Sequence, residues 1–336
     1  MTRPDFFAIS TSRTTKTGQT MSSIKTVYDH IRQNNIKTIL LVLLFPLLFL
    51  GVIFLFMLII MDTYADALAI TGTVAIPVLI ISAVWMLISW AFGDSMMLGA
   101  AGAHEIKPDN KEYREIFRTV ENVALAAGLP TPRVYIINDS SLNAFATGRS
   151  PRDASVALTS GIIKKLNRSE LAGVIAHEMA HIGNRDIRLD MLLITGVGVT
   201  AFIADILYRS AVYGTHGTSD DDNRGNSGAV LLMVWLAFAV FNTIITPLLR
   251  MAVSRNREYA ADSTGVYITR DPHALASALK KISTDSRVES MDNIKSMAAV
   301  CIANPSRPNQ FVSELMATHP PVEKRIQRLE SMTIKQ

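Results

Sequence analysis

Cysteine is almost absent from this chain of 336 residues, which contains only Cys301. A single cysteine excludes an internal disulfide bond and any zinc site built from several thiolates. It is most simply a small buried apolar residue in a reducing compartment. Charged residues are scarce as well, at 18% of the chain, whereas about a quarter is typical of soluble domains. The basic residues are scattered and lack interleaved aromatic residues, so we expect no nucleic-acid partner.

The charged residues are missing above all from long apolar runs, which predict a membrane protein. Residues 38–61 and 67–92 contain no charged side chain, and each run is long enough to cross a bilayer as a helix. Pro46 and Pro77 lie inside these runs, where lipid tolerates proline better than water does. We therefore predict two transmembrane helices within residues 38–92.

Two further apolar runs, 191–204 and 229–249, follow later in the chain. The first is short for a span, whereas the second has 21 residues, which is enough to cross alone. We predict a hydrophobic helical hairpin at 189–249 that either spans the bilayer or enters it and returns. The chain then has two to four transmembrane helices.

The polar parts of the chain predict a mixed domain. Apolar residues at helical spacing predict a helix at 110–127, and short β-rich stretches predict strands at Arg133–Ile137, 143–148 and 154–159. Ser169 is predicted to cap the next helix. The fold class is therefore α+β, mostly helical with a small β-sheet.

That next helix carries the sequence HEMAH, which contains His177, Glu178 and His181. Residues four apart on a helix lie about 40° apart around its axis and about 6 Å along it, so both imidazoles can reach one metal ion. Glu178 projects beside them, where it can hydrogen-bond a water without binding the metal. This is the geometry of a zinc hydrolase with a general base. A chance pattern on a surface helix is the alternative, but the apolar residues 171–176 predict a buried helix, in which histidines need partners.

A catalytic zinc usually has three protein ligands and one open position for water. No third histidine follows at short spacing, and the best candidate is Glu258, which shares a helical face with Asp262. One of the two can bind the metal while the other supports a ligating histidine through its second nitrogen. From the residues alone, an ordinary charged helix is the alternative. If 189–249 is a hairpin, however, His181 and Glu258 emerge on the same side of it at similar heights.

The distribution of basic residues predicts the orientation in the membrane. Segments 1–37, 93–190 and 250–336 contain 6, 12 and 13 Lys and Arg, whereas the two intervening loops contain none and two. The positive-inside rule then puts both termini and both polar segments in the cytoplasm. A helix that continues from the motif into the run at 191 would place His181 about 15 Å from that run. We therefore expect the metal site close to the cytoplasmic membrane surface.

Three motifs occur in a fixed order: HEMAH with Asn184-Arg185-Asp186 behind it, REYAAD at 257–262, and THPP at 318–321. Together with the four apolar runs, they resemble the integral-membrane zinc metallopeptidases of the HtpX type, which are related to the CAAX prenyl proteases. The resemblance covers about residues 21–336. Residues 1–20 depart from the pattern, which leaves either Met1 or Met21 as the start.

This resemblance implies a zincin-like metallopeptidase domain with one Zn²⁺ per chain, for which Glu258 is the third ligand beside His177 and His181. It also implies proteolysis of misfolded membrane proteins, with polypeptides and the lipid bilayer as partners, in the bacterial plasma (inner) membrane. His319 is implied to carry a proton that stabilises the oxyanion of the tetrahedral intermediate. A side chain at a proline-rich helix start is the alternative for His319.

Two further assignments complete the site. Asn143, Ala144, Phe145 and Ala146 are predicted to form an edge strand that pairs with an extended peptide substrate, and an ordinary edge strand is the alternative. Asp186 is assigned to the support of a metal ligand, although residues just beyond a helix more often cap its end.

We predict a membrane-bound zinc endopeptidase in which Glu178 is the general base. A homo-oligomer is compatible with the sequence. The chain divides into an N-terminal cytoplasmic segment (1–37), two transmembrane helices (38–92), a first catalytic part (93–188), the hairpin (189–249) and a second catalytic part (250–336).

Three rivals remain. An intramembrane metalloprotease uses the same motif inside lipid, but Arg168, Glu170 and Arg185 flank it here and disfavour burial in lipid. A prenyl-protein protease belongs to the wider family, yet such enzymes carry more membrane helices. A membrane adaptor or holdase with a vestigial metal site would have no need of Glu178.

Overall fold

The computed structural model describes residues 27–61, 63–213, 235–243, 255–283 and 320–332. Within them, helices dominate and four short strands form one sheet, so the predicted class, mostly helical α+β, is confirmed. Cys301 lies outside the described residues.

Two long helices, α1 (Val27–Ile60) and α2 (Tyr64–Ala100), pack against each other. The hydroxyl of Thr63 caps α2 by accepting a hydrogen bond from the Asp66 N–H at 3.1 Å. In the described part of the chain, these two helices are the ones long and apolar enough to cross a membrane. Both extend beyond the predicted runs, because polar residues at their ends continue the helices towards the catalytic domain.

A third long helix, α6 (Asp186–Tyr213), is continuous where the sequence suggested only a marginal apolar run. It packs closely on α2 because Gly93 has no side chain: a Cβ there would lie 2.9 Å from Cγ of Met191. A short helical stretch, α7 (235–243), contributes Phe241, whose ring lies edge-on to that of Phe45 at 5.3 Å. The predicted loop between α6 and α7 lies outside the described residues.

The sheet consists of β1 (Ala103–Ile106), β2 (Arg133–Ile137), β3 (Ala144–Thr147) and β4 (Ser155–Thr159). Its order is β1-β2-β4-β3, with β2 and β4 parallel and the other pairs antiparallel, so β3 is an edge strand. The predicted strands are confirmed to within a residue at each end. β1 was missed, because a four-residue strand with two exposed polar residues shows no alternation.

The remaining helices surround α5 (Arg168–Gly183), which carries the HEMAH sequence. They are α3 (Arg114–Ala126), α4 (Ser160–Lys165), α8 (Arg255–Thr269), α9 (Pro272–Ile282) and α10 (Val322–Glu330). Helices α3, α8 and α9 and strand β3 all contact α5. Val174, Ile175, Met179 and Ile182 are fully buried, so α5 is the central core helix that its apolar residues predict.

Two local predictions about α5 are wrong. Asn167 caps the helix instead of Ser169, because only Asn167 forms the reciprocal bonds of a capping box with Glu170. The helix also does not continue into α6: it ends at Gly183, and Arg185 follows in the left-handed region with φ of 59°. The chain therefore turns sharply, and the predicted 15 Å offset along a continuous helix does not apply.

Candidate metal centre

The N-terminus of α5 is anchored to α9 by the buried carboxylate of Glu170. This carboxylate accepts hydrogen bonds from the Asn167 N–H at 2.8 Å, from Ser277 Oγ at 2.6 Å and from Lys281 Nζ at 2.7 Å. Burial alone would raise the pKa of Glu170, but the bonds from Lys281, Ser277 and Asn167 outweigh it and lower the pKa. An ionised Glu170 therefore fixes where the motif helix begins.

Helix α8 approaches α5 closely because Gly265 has no side chain at their contact. A Cβ at Gly265 would lie only 3.1 Å from the backbone nitrogen of His177. This approach brings Glu258 and Asp262, which share one face of α8, beside the histidines of α5. Both carboxylates are at most 2% exposed, so they are held in the core, away from bulk water.

Three side chains converge on one point: His177, His181 and Glu258. The two Nε2 atoms lie 3.2 Å apart, and the Glu258 oxygens lie 3.6 Å from Nε2 of His177 and 3.5 Å from Nε2 of His181. A tetrahedral zinc ion with bonds of 2.0–2.1 Å separates its ligand atoms by about 3.3 Å. The donor atoms are thus spaced as one such ion requires, and two nitrogens with one carboxylate are a donor set typical of catalytic zinc.

A second carboxylate orients each histidine from behind. Nδ1 of His177 lies 3.0 Å from Oδ1 of Asp262, and Nδ1 of His181 lies 2.8 Å from Oδ2 of Asp186. Because an ionised carboxylate can only accept, Nδ1 carries the hydrogen in each ring and Nε2 is left to bind a metal. The structure therefore brings Asp186 and Asp262 to the histidines, one carboxylate for each ring.

The surrounding negative charge also shifts the acid–base equilibria of both histidines. Burial lowers the pKa of His177, but the hydrogen bonds with Asp262 and Glu258 outweigh it and raise the pKa to about 9. Burial likewise lowers the pKa of His181, and the charge of Glu258 and the bond with Asp186 raise it overall. A proton and a metal ion compete for the same nitrogens, so the charge that attracts the proton also suits a divalent cation.

Arg325 is a site residue that the sequence analysis missed. Its side chain is fully buried, and Nε and Nη2 donate to the two oxygens of Asp262 at 2.9 and 2.7 Å. Nη1 lies 3.8 Å from Oε2 of Glu258. Burial lowers the pKa of Arg325, but the charges of Asp262, Glu258 and Glu178 outweigh it and raise the pKa. Arg325 is thus the cation that makes so many buried carboxylates tolerable.

The sequence did contain a signal for Arg325. Val322, Ile326 and Leu329 recur at the spacing of one helical face and turn towards the core, and Arg325 lies on that same face. An arginine among apolar residues on a buried face needs a buried partner. The partner itself could not be read from the sequence, because Asp262 is 63 residues away.

Arg325→Met is expected to lower the free energy of unfolding by about 3–5 kcal/mol, because the buried charge of Asp262 loses its cation while an unbranched side chain still fills most of the space. Arg328→Met is the matched control. Arg328 is exposed on the same helix, and its guanidinium lies 5.0 Å from the Tyr259 ring, a contact worth about 0.5–1 kcal/mol. Chemical unfolding of the detergent-purified protein, followed by circular dichroism, measures both losses. Equal losses would contradict a buried charge network centred on Arg325.

A second buried arginine supports the other histidine. Nη2 of Arg257 donates to both oxygens of Asp190 at 2.9 Å, and Nη1 lies 3.8 Å from Oδ1 of Asp186. Asp186 is fully buried, so Arg257 puts a positive charge beside the carboxylate that contacts His181. Arg257 precedes Glu258 on α8, so one helix supplies both a metal donor and this cation.

The role of Glu178 as the general base stays a prediction. The residue follows His177 directly on α5, about 100° further around the helix, and is 2% exposed. Glu178 is not one of the three donors that converge. Three protein donors leave a fourth position for water or substrate, so the arrangement suits metal-assisted hydrolysis.

Two further predicted assignments stay predictions. The residues predicted to bind substrate, Asn143, Ala144, Phe145 and Ala146, lie at or on the edge strand β3, but each is at most 4% exposed. A peptide could pair with this edge only after the strand is uncovered. His319 lies outside the described residues.

Comparison with known proteins is consistent with this geometry. The model of peptidase family M48 matches residues 110–333. A protein named Protease HtpX homolog from Caldanaerobacter subterraneus subsp. tengcongensis is 39% identical over 311 residues, which cover 92% of this chain and 99% of that protein. The protein of the same name from Thermoanaerobacter pseudethanolicus is 38% identical over 312 residues, covering 93% and 100%.

Among solved structures, that of S. mikatae Ste24p aligns with a TM-score of 0.41 and 16% identity, covering 89% of this chain and 66% of that one. The family match covers more than half of the chain, and the HtpX homologs match almost its whole length. The chain therefore belongs to peptidase family M48 and is a metallopeptidase of the HtpX type.

Proposed function

We propose that this chain is a membrane-bound zinc endopeptidase that hydrolyses peptide bonds of misfolded or damaged membrane proteins. The observation that carries the proposal is the spacing of the donor atoms of His177, His181 and Glu258, at 3.2 to 3.6 Å from one another. Family membership implies a metal cofactor. The donor set of two imidazoles and one carboxylate favours zinc, one ion per chain.

When bound, zinc polarises the scissile carbonyl and makes a water molecule more acidic. The protein's own contribution begins with Glu178, whose carboxylate accepts a proton from the attacking water. The same group then delivers that proton to the leaving amine, so it acts first as base and then as acid. The burial of Glu178 keeps the proton from exchanging with bulk solvent during this transfer.

The carboxylates behind the histidines fix the orientation of the two imidazole rings. Asp262 and Asp186 hold the two rings with Nε2 towards the donor centre, which removes the need to reorder them when metal or substrate binds. Arg325 and Arg257 balance the charge of these carboxylates. The site can therefore hold a divalent cation without collapsing through repulsion among its acidic groups.

The proposed substrates follow from where the catalytic domain is attached. Arg133 on β2 forms an ion pair with Asp94 near the end of α2 at 2.6 Å. Met97 and Leu98 of α2 share one apolar cluster with Phe145 of the sheet. These contacts support a catalytic domain held at the bilayer surface, within reach of the exposed loops of membrane proteins.

Chelation is expected to abolish casein cleavage by the detergent-purified protein, and one equivalent of zinc per chain is expected to restore it. The reason is that water at this site would be activated by the metal ion that His177, His181 and Glu258 hold. Elemental analysis and a cleavage assay on the same sample measure both quantities. Unchanged cleavage after complete metal removal would contradict the proposal, and zinc binding without any cleavage would favour the adaptor or holdase instead.

The catalytic domain is proposed to face the cytoplasm of a bacterial inner membrane, as the basic residues indicate. On a Cys301→Ser background, Ser169→Cys and Ser331→Cys should react with an impermeant thiol reagent only from the cytoplasmic side. Thr63→Cys, in the turn between α1 and α2, should react only from the outer side. All three positions are exposed, so accessibility reports orientation. Labelling of Ser169→Cys from outside would contradict the cytoplasmic assignment.

A further inference from the structure

Asn34, in helix α1, contacts Asp186, the carboxylate that lies behind His181. Its side-chain amide donates one hydrogen bond to the carbonyl of Asn184 at 3.1 Å and another to Oδ1 of Asp186. Asn34 is 6% exposed, and the two acceptors are 150 and 152 residues away in sequence. The proposed reaction makes no use of this residue.

The bond to Asp186 bears on how His181 is held. The two oxygens of Asp186 are divided: Oδ2 faces Nδ1 of His181 at 2.8 Å, while Oδ1 accepts from Asn34. A carboxylate is planar, so a donor that fixes one oxygen also fixes the direction of the other. Asn34 therefore sets the rotation of Asp186, and through it the plane of the His181 ring.

The bond to Asn184 acts on the same turn through the backbone. Asn184 is the C-cap residue that follows α5, where carbonyl groups have no partner within the helix. Arg185, the next residue, adopts a left-handed conformation with φ of 59°, which is costly for a residue with a side chain. The amide of Asn34 binds the residue before and the residue after Arg185, so it stabilises the turn that puts Asp186 under His181.

We propose that Asn34 is a positioning residue of the metal centre, through which helix α1 aligns Asp186 and thereby His181. The inference rests on the proposed function, since it requires His181 to bind metal. The position of helix α1 is then coupled to the geometry of the metal donors. A role of Asn34 in helix docking alone would affect stability and leave the ligand geometry unchanged.

Cobalt binding by the full-length, detergent-purified protein separates the two roles. Co²⁺ is the probe, because its visible absorption bands report the arrangement of the ligands. Asn34→Leu, which keeps the side-chain size and removes both donors, is expected to weaken Co²⁺ binding about 10- to 100-fold and to shift the bands. Asn35→Leu is the matched control, because Asn35 is the next residue on α1 and faces Arg188 at 3.4 Å. It should change neither quantity.

A double-mutant cycle shows whether Asn34 acts through Asp186. Asn34→Leu should weaken Co²⁺ binding much less in an Asp186→Asn background than in the wild type, because both changes disturb one chain of contacts. Asn34→Ala removes the amide without adding a charge, and it should reproduce the affinity loss if Asn34→Leu does not fold.

Two results would overturn the inference, and they are distinguishable. If the wild type binds Co²⁺ and Asn34→Leu matches Asn35→Leu in affinity and spectrum, Asn34 does not position the metal centre, even if the unfolding midpoint falls. If the wild type binds no Co²⁺, the proposed metal site fails and the inference fails with it.

Discussion

Glu178→Gln is expected to lower kcat for peptide hydrolysis by about 10²–10⁴-fold while the protein keeps one zinc per chain. The amide has nearly the same size as the carboxylate but cannot accept a proton from water at neutral pH. The metal donors of His177, His181 and Glu258 are unchanged, so metal affinity should not fall. Metal content and casein cleavage, measured on the same purified sample, give the two quantities.

Two controls make this result specific. Glu178→Asp keeps a carboxylate but withdraws it by one methylene, so activity should be intermediate. Glu121→Gln makes the same chemical change on the exposed face of α3 and should be silent. Cleavage by Glu178→Gln at the wild-type rate would remove Glu178 from the mechanism. Loss of zinc together with activity would instead make Glu178 part of the metal-binding set.

The parts of the site that could be predicted are those within one helix. A spacing of four residues fixes His177 relative to His181, and Glu258 relative to Asp262, before any tertiary contact is known. Which helices then meet is a property of packing. The contact between α5 and α8 depends on Gly265, and nothing in the sequence distinguishes this glycine from a tolerated one inside a helix.

The parts that were missed depend on contacts between distant residues. Asn34 belongs to a polar helical segment that is indistinguishable from solvated surface until its partners are known. For Arg325, the apolar face of its helix indicates burial, but its partner Asp262 is 63 residues away and could not be identified. The break after α5 was missed for a different reason. The usual markers of a helix end are present in the sequence, since Gly183 and Asn184 follow the motif and His181 lies in the last turn. The predicted helix nevertheless ran past them towards the apolar run at 191.

The overall class was predictable because it follows from composition and periodicity. The uncharged runs correspond to α1 and α2, which have the length and apolarity of membrane spans. The short β-rich stretches correspond to β2, β3 and β4. Tertiary structure adds that the ends of α1 and α2 belong to the catalytic domain, which hydropathy alone cannot indicate because those ends are polar.

Glu258→Ala is expected to weaken zinc binding by about 10²–10³-fold. Zinc sites with four protein ligands bind with about 10–16 kcal/mol, or roughly 2.5–4 kcal/mol per ligand, and each 1.4 kcal/mol is about tenfold in Kd. Glu258 is the donor that α8 contributes, at 3.5 and 3.6 Å from the two histidine nitrogens. Its loss leaves two ligands on one helix, which do not enclose an ion. Competition with a chelating dye at fixed pH measures the change in Kd.

Asp262→Asn tests whether Asp262 orients His177 instead of binding the metal itself. Asp262 lies on the same face of α8, but its carboxylate faces Nδ1 of His177 at 3.0 Å, and Arg325 and His177 lower its pKa to about 2 against the opposing effect of burial. Losing a carboxylate that orients a ligand should weaken zinc binding by about 10–100-fold, less than the loss of Glu258.

Wild-type zinc affinity in Glu258→Ala would show that the third ligand lies elsewhere. A larger loss in Asp262→Asn than in Glu258→Ala would exchange the assignments of the two carboxylates, because the residue that binds zinc directly must contribute more than the one that orients His177.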